Sequence, residues 1–198
     1  MPETDTIDML VGITPGSALD AIRARRPEAR KHAEVSYRVL FAPEALAGVS
    51  AQERFALGSF VVELHGEVQT GAFYLAGLVA SGASDALLAA VAAAVGEATT
   101  TGPFGSYPEG PLSAENTEGI IYSVSAELRA ALGPRLTTAF EHAHMLVFHP
   151  RDAAPESLQA MLDAGWSTTD IVTLSQITAF LSFQIRVVSG LRTLAASA

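Results

Sequence analysis

Apolar positions recur with a helical period along most of this chain, and short polar or Gly/Pro-rich breaks separate the periodic stretches. The segment Ile7–Ile13 leads into the turn Thr14-Pro15-Gly16-Ser17. Ser17 is placed to cap a helix through about Arg26, with Leu19, Ala21 and Ile22 as its apolar side. Pro27 suits the first turn of a helix, where its missing N–H is not needed, and the spacing predicts that helix to about Leu40. Ser50 and Glu53 form a capping box, and the helix they open is predicted to reach Val79, with Gly66, Gly71 and Gly77 as weak points or close-packing sites. Ser84 caps an alanine-rich helix over 86–99.

Residues 100–118, with three prolines and three glycines, form the longest irregular stretch, of the kind that serves as linker or lid. Helices are predicted beyond it over Ile120–Leu132, Pro134–Phe148, Pro155–Ala164 and Thr169–Ala196. Val35–Phe41 alternates weakly, but within a helical context. The fold class is therefore all-α.

The chain also matches itself at an offset of 117 residues: Gly48-Val-Ser50-x-x-Glu53 aligns with Gly165-Trp-Ser167-x-x-Asp170. Without a gap, Leu57, Phe60, Leu64 and Val68 then meet Leu174, Ile177, Leu181 and Ile185. Two related helical units follow, with long helices expected to pack about a pseudo-twofold axis. The organisation reads as an N-terminal helical arm (1–47), a first unit (48–99), a linker (100–118) and a second unit (119–198), within one compact domain.

On the final helix Ser175, Thr178, Ser182, Arg186 and Ser189 share one face. His65 and Gln69 stand opposite Ser182 and Arg186 in the first unit. Either this face meets solvent or it forms a buried polar seam between the two long helices. In a seam, Arg186 needs an acidic or carbonyl partner, since an unpaired buried charge is very costly. Glu53 or Asp170 serves only if the fold brings it near.

Composition narrows the function. Net charge is −9, which disfavours nucleic acid and anionic lipid as partners. The longest apolar run, Ala86–Gly96, is about half of the ~20 residues that a membrane span needs. The acidic start, Met1–Asp8, is unlike a signal peptide, so a cytoplasmic location is expected. Five of the 12 cations cluster at Arg23, Arg25, Arg26, Arg30 and Lys31, read as a solvated helix face, with docking of an acidic partner as the alternative. The chain has 0 cysteines, which removes disulfides, thiolate nucleophiles, iron–sulfur clusters and cysteine zinc sites.

Gly-x-Ser-x-x-Glu/Asp followed by a long helix resembles the alkylhydroperoxidase-like, or carboxymuconolactone decarboxylase, family. Ile7-Asp-x-Leu-Val-Gly-Ile-x-Pro-Gly-Ser17, Arg26-Pro-Glu-Ala-Arg30, Ser36-Tyr37, Leu162-x-Ala164-Gly-Trp-Ser167, Gln176-x-x-Ala179-Phe180 and Gln184-x-Arg186 are similar to a cysteine-free subgroup, and the resemblance covers nearly the whole chain. It implies an AhpD-like helical bundle, assembly as a homo-oligomer (dimer, trimer or hexamer) and no cofactor. It also allows a cysteine-bearing partner of the same family.

Thiol-bearing members pair an acid with a Cys-x-x-Cys and a relay histidine. Here Glu53 keeps the acid, while His65, Val68 and Ala72 occupy the other positions. In the second unit Asp170 keeps the acid, and Ser182, Ile185 and Ser189 replace the rest. Dithiol peroxide reduction is excluded, because no other side chain cycles between thiolate and disulfide.

Three functional readings remain. The first is non-thiol binding or an accessory role, with Gln69, Asp170, Ser182 and Ser189 as binding residues. The second is a cofactor-free decarboxylase or isomerase acting on a small carboxylate or lactone, with Glu53, His65 and Arg186 as base, acid and oxyanion stabiliser. The third is a structural assembly subunit. His142, His144 and His149 lack the spacing of a metal motif, so no metal is expected; His144 and Met145 are expected to face inward and His142 to be solvated.

Overall fold

A computed structural model describes residues 5–197. The first four residues of the acidic start and the last residue of the second unit lie outside the described residues. Among the described residues there are nine α-helices and two short 3-10 turns, with no strand and one isolated bridge between Gly105 and Thr117. The all-α class holds.

Helices α1 (Thr6–Val11), α2 (Ala18–Ala24) and α3 (Pro27–Phe41) form the N-terminal arm. Ser17 caps α2 by accepting from Asp20 N, and Pro27 stands in the first turn of α3. The basic cluster is not simply a solvated face. Arg23 is buried, reaching Asp5 at 2.5 Å and Asp8 at closer range, and Arg30 joins Asp8 to Asp20. The arm is thus pinned by an ion-pair network in which carboxylates from α1 and α2 offset the guanidinium desolvation.

The capping boxes at Ser50/Glu53 and Ser167/Asp170 are both formed, opening α4 (Ala51–Leu64) and α9 (Thr168–Ala196). The first long helix does not reach Val79 unbroken. Gly66 adopts φ +72°, a left-handed conformation that glycine takes without penalty, and α5 (Val68–Ala80) starts in a new direction. The second copy carries no glycine at the matching place, and α9 continues for 29 residues. α6 (Asp85–Ala98) starts from Ser84 as expected.

The irregular stretch extends beyond residue 118. Ile120–Ser125 is extended, with Tyr122 and Val124 buried and Ile121 and Ser123 exposed. Helix α7 (Ala126–Phe148) begins only at Ala126 and bends at Gly133, where φ is +72° ahead of Pro134. A 3-10 turn at Pro150–Asp152 and α8 (Pro155–Asp163) complete the chain before α9.

The main core is built on both sides of the irregular stretch. Phe60 of α4 stacks on Phe140 of α7 at 4.3 Å between ring centroids, and Tyr122 lies on the other side of Phe60. Two long helices, α4 and α9, pack side by side against α7. By length and composition α9 alone, among the described residues, could cross a membrane; half of its most apolar window is buried inside the fold. That is the burial expected of a core helix.

Candidate functional site

The N-terminal ends of α4 and α9 meet around Arg135 of α7. Its guanidinium donates to Glu53 Oε1 at 2.7 Å, to Gly165 O at 2.9 Å and to Gly48 O at 2.7 Å. Gly48 and Gly165 are the matched glycines of the two units, so one planar fork ties both helix starts together. The same guanidinium lies 3.6 Å above the Trp166 ring, and Trp166 Nε1 donates back to Arg135 O at 3.0 Å. Burial alone would raise the Glu53 carboxyl, but hydrogen bonds from Arg135 and Ser50 outweigh it and hold Glu53 below its ordinary value. Asp170 is buried in its capping box, and a Cβ on Gly48 would overlap its carboxylate. Both acids therefore have structural duties at helix starts.

Further along the helices, His65 Nε2 lies 3.2 Å from Ser182 Oγ. Arg186 is exposed and turns its Nη1 back to Ser182 O at 2.6 Å, a carbonyl of its own helix. Burial, and secondarily the nearby Arg186 charge, push His65 below its ordinary value. The structure thus unites His65, Ser182 and Arg186 but leaves Glu53 twelve residues away along α4, ~18 Å of helix. Gln69 and Ser189 are exposed. The polar face of α9 divides: Ser175, Thr178 and Ser182 turn toward the fold, while Arg186 and Ser189 meet solvent. No residue of this group lines the cavity described next.

That cavity, about 370 Å³, opens between α7, the extended segment before it and α8. Its polar lining includes Tyr122, Glu141, His142, His144, His149 and Asp152. His142 is only 5% exposed, contrary to the expectation that it is solvated, because α7 packs against α9 and sets the ring beside Ser175. His142 Nε2 is 2.9 Å from Ser175 Oγ of α9, and its Nδ1 is buried with no partner. His144 is buried as expected, with Nε2 3.1 Å from Ala98 O, whereas Met145 is half-buried.

Burial lowers His142 and takes His144 down to about 4, so both rings are neutral at ordinary pH. Burial likewise raises the Tyr122 hydroxyl, which stays protonated. Glu141 receives Arg129 at 2.5 Å and Val124 N at 3.0 Å. Asp152 receives His149 Nδ1 at 3.0 Å and Ser106 N, bonds that hold its carboxyl below the usual range. No group of three or more histidines and carboxylates able to hold a metal ion occurs among the described residues.

Sequence reasoning weighed His142 and His144 as metal ligands or as a solvated and an inward-facing residue, and missed their place in a cavity. The period-two pattern of Tyr122 and Val124, buried against exposed Ser123, was the available signal that this segment is extended and packs beside them.

Fold and site together define an all-α protein with a largely apolar, histidine-lined cavity. No family model, curated protein or solved structure matches the chain.

Proposed function

We propose that this chain is a small-molecule-binding protein of alkylhydroperoxidase-like architecture whose function is not thiol chemistry. The resemblance of its two capped helix starts supports the architecture, and its lack of cysteine removes the dithiol reaction. The observation that carries the binding role is the 370 Å³ cavity, lined by apolar surface and by the buried His142 and His144. Concave, mostly apolar cavities of this size are where proteins bind small molecules. A titration of the purified protein with small aromatic and aliphatic molecules, followed by calorimetry, tests this. Binding that disappears in Ala160→Trp, with the helical circular dichroism retained, is the expected result. Saturable binding unchanged by Ala160→Trp would place the ligand elsewhere and sink the reading.

The decarboxylase or isomerase alternative finds less support, since Glu53 is committed to Arg135 and does not share a site with His65 and Arg186. Assembly as a homo-oligomer, or with a cysteine-bearing partner, is supported by an exposed apolar stripe on α5: Val68 (72% exposed), Ala72, Leu75 and Val79 recur at helical spacing on its outer side. A cytoplasmic setting without nucleic-acid or membrane partners accords with the net charge of −9.

A further inference from the structure

Glycine inside a helix weakens it by about 1 kcal/mol relative to alanine. Gly71 lies in the first turns of α5, and its φ is not left-handed, so conformation does not call for glycine there. Space does: a Cβ on Gly71 would overlap Glu63 Oε1 of α4. The glycine makes room for a carboxylate, where Gly58 and Gly77 make room for aromatic rings.

That carboxylate lines a second pocket, of about 220 Å³, between α4, α5 and α6. Leu75, Leu88, Val91 and Val95 supply its apolar wall, and Ser59 and Glu63 are its only polar lining residues. The Ser59 hydroxyl is sealed in the fold and takes no part, whereas Glu63 is half-buried and its oxygens are not sealed.

Among the described residues, no cation or hydrogen-bond donor meets Glu63. The only cation on the three walling helices is Arg54, nine residues back along α4, or ~13 Å of helix. Its guanidinium is engaged by the carbonyls of Val49, Leu40 and Leu46. Arg192 is held by Glu67 at 2.9 Å and by Leu10 O, and the His65 ring faces Ser182. A half-buried charge beside an apolar wall with no partner is unfavourable, and a bound cation relieves it.

We infer that this pocket is a second ligand site, selecting a small apolar primary amine whose ammonium pairs with Glu63 while its alkyl chain lies on α6. The site is separate from the histidine-lined cavity and does not depend on the reading of it. Such amines, with an ordinary value near the ~10.4 of lysine, are cations at neutral pH. A cavity of ~150 Å³ holds a benzene, so this pocket has room for a chain of about six carbons. A carboxylic acid would be repelled by Glu63, and an alcohol would leave its charge unpaired.

The test compares hexylamine, ethylamine, 1-hexanol and hexanoate on the full chain by calorimetry at pH 7 and low salt. Hexylamine is expected to bind about tenfold more tightly than hexanol or ethylamine, and hexanoate weakest. Glu63→Gln keeps the shape but not the charge, and should bring hexylamine down to the level of hexanol. Gly71→Ala should act in the same direction with helical circular dichroism retained, since the flexible end of Glu63 is what gives way. Ala92→Trp, on the exposed rim, should block hexylamine and hexanol alike, and Ala160→Trp should leave both unchanged. No binding of hexylamine, equal affinity for amine and alcohol, or an amine affinity untouched by Glu63→Gln and Ala92→Trp overturns the inference. Loss of hexylamine binding in Ala160→Trp alone would place the amine in the α7 cavity and overturn it equally, leaving that cavity's binding role intact.

Discussion

His65 Nε2 lies 3.2 Å from Ser182 Oγ, and these residues are separated by 117 positions, the same offset that relates Ser50 to Ser167. A residue that touches its own counterpart sits where a twofold axis between two parallel helices would pass. The pair is half-exposed and flanked by Arg186. Replacing Arg186 with Gln removes the neighbouring positive charge, so the His65 ring should titrate closer to its ordinary value. An NMR pH titration of the ring protons reads this directly. An unchanged midpoint would show that burial alone sets the shift.

The Arg135 fork predicts a stability effect larger than that of a surface ion pair. Arg135→Ala deletes the Glu53 pair, two carbonyl bonds and the Trp166 stack, and should cost about 2–3 kcal/mol in urea unfolding. Arg135→Lys should recover less than half, because a single ammonium cannot serve both glycine carbonyls from one plane.

Gly48→Ala tests the close approach of the two helix starts. The new methyl would overlap the Asp170 carboxylate, which is held by Ser167 N at 3.0 Å and Ser167 Oγ at 2.7 Å. Relief requires breaking the α9 capping box, so a loss of about 1–2 kcal/mol is expected. Gly96→Ala, on α6 with open space around it, is the control and should cost nothing.

Acid should destabilise this fold before its carboxylates titrate. His144 has an ordinary value of 6.5 and a folded value of about 4. The unfolded chain therefore takes up a proton near pH 6.5 that the folded chain refuses until about pH 4. Stability is complete above pH 6.5 and falls through that window, by on the order of 3 kcal/mol for this residue; His142 and His65 act in the same direction. Urea midpoints measured in steps between pH 7.5 and 4.5 check it. In His144→Phe the slope should flatten.

Assembly is checked by light scattering on the eluted protein. Leu75→Glu and Val79→Glu, on the exposed side of α5, should lower the mass if that stripe is the contact. A wild-type monomer would remove the homo-oligomer proposal.

Much of the helical layout was legible residue by residue. Ser17, Ser50, Ser84 and Ser167 cap the helices they precede, because a hydroxyl accepting a free N–H is a local interaction that needs no distant partner. The failures were of a different kind. Ile120–Ser125 reads as apolar enough for a helix, yet docking of Tyr122 beside Phe60 keeps it extended. His142 looks like a surface residue in the sequence, yet the packing of α7 against α9 sets it beside Ser175.

The sequence by itself determined the all-α class, the two matched helix starts and the impossibility of cysteine chemistry, since these rest on periodicity, capping and composition. Tertiary structure decided which of these residues come together. It gave Glu53 and Asp170 to the joining of helix ends, placed Arg186 in solvent, and enclosed the α7 histidines around a cavity. Burial and hydrogen-bond partners are properties of the packed chain. Imidazoles identical in sequence differ in burial and in partners according to which carbonyl or hydroxyl the fold sets against them.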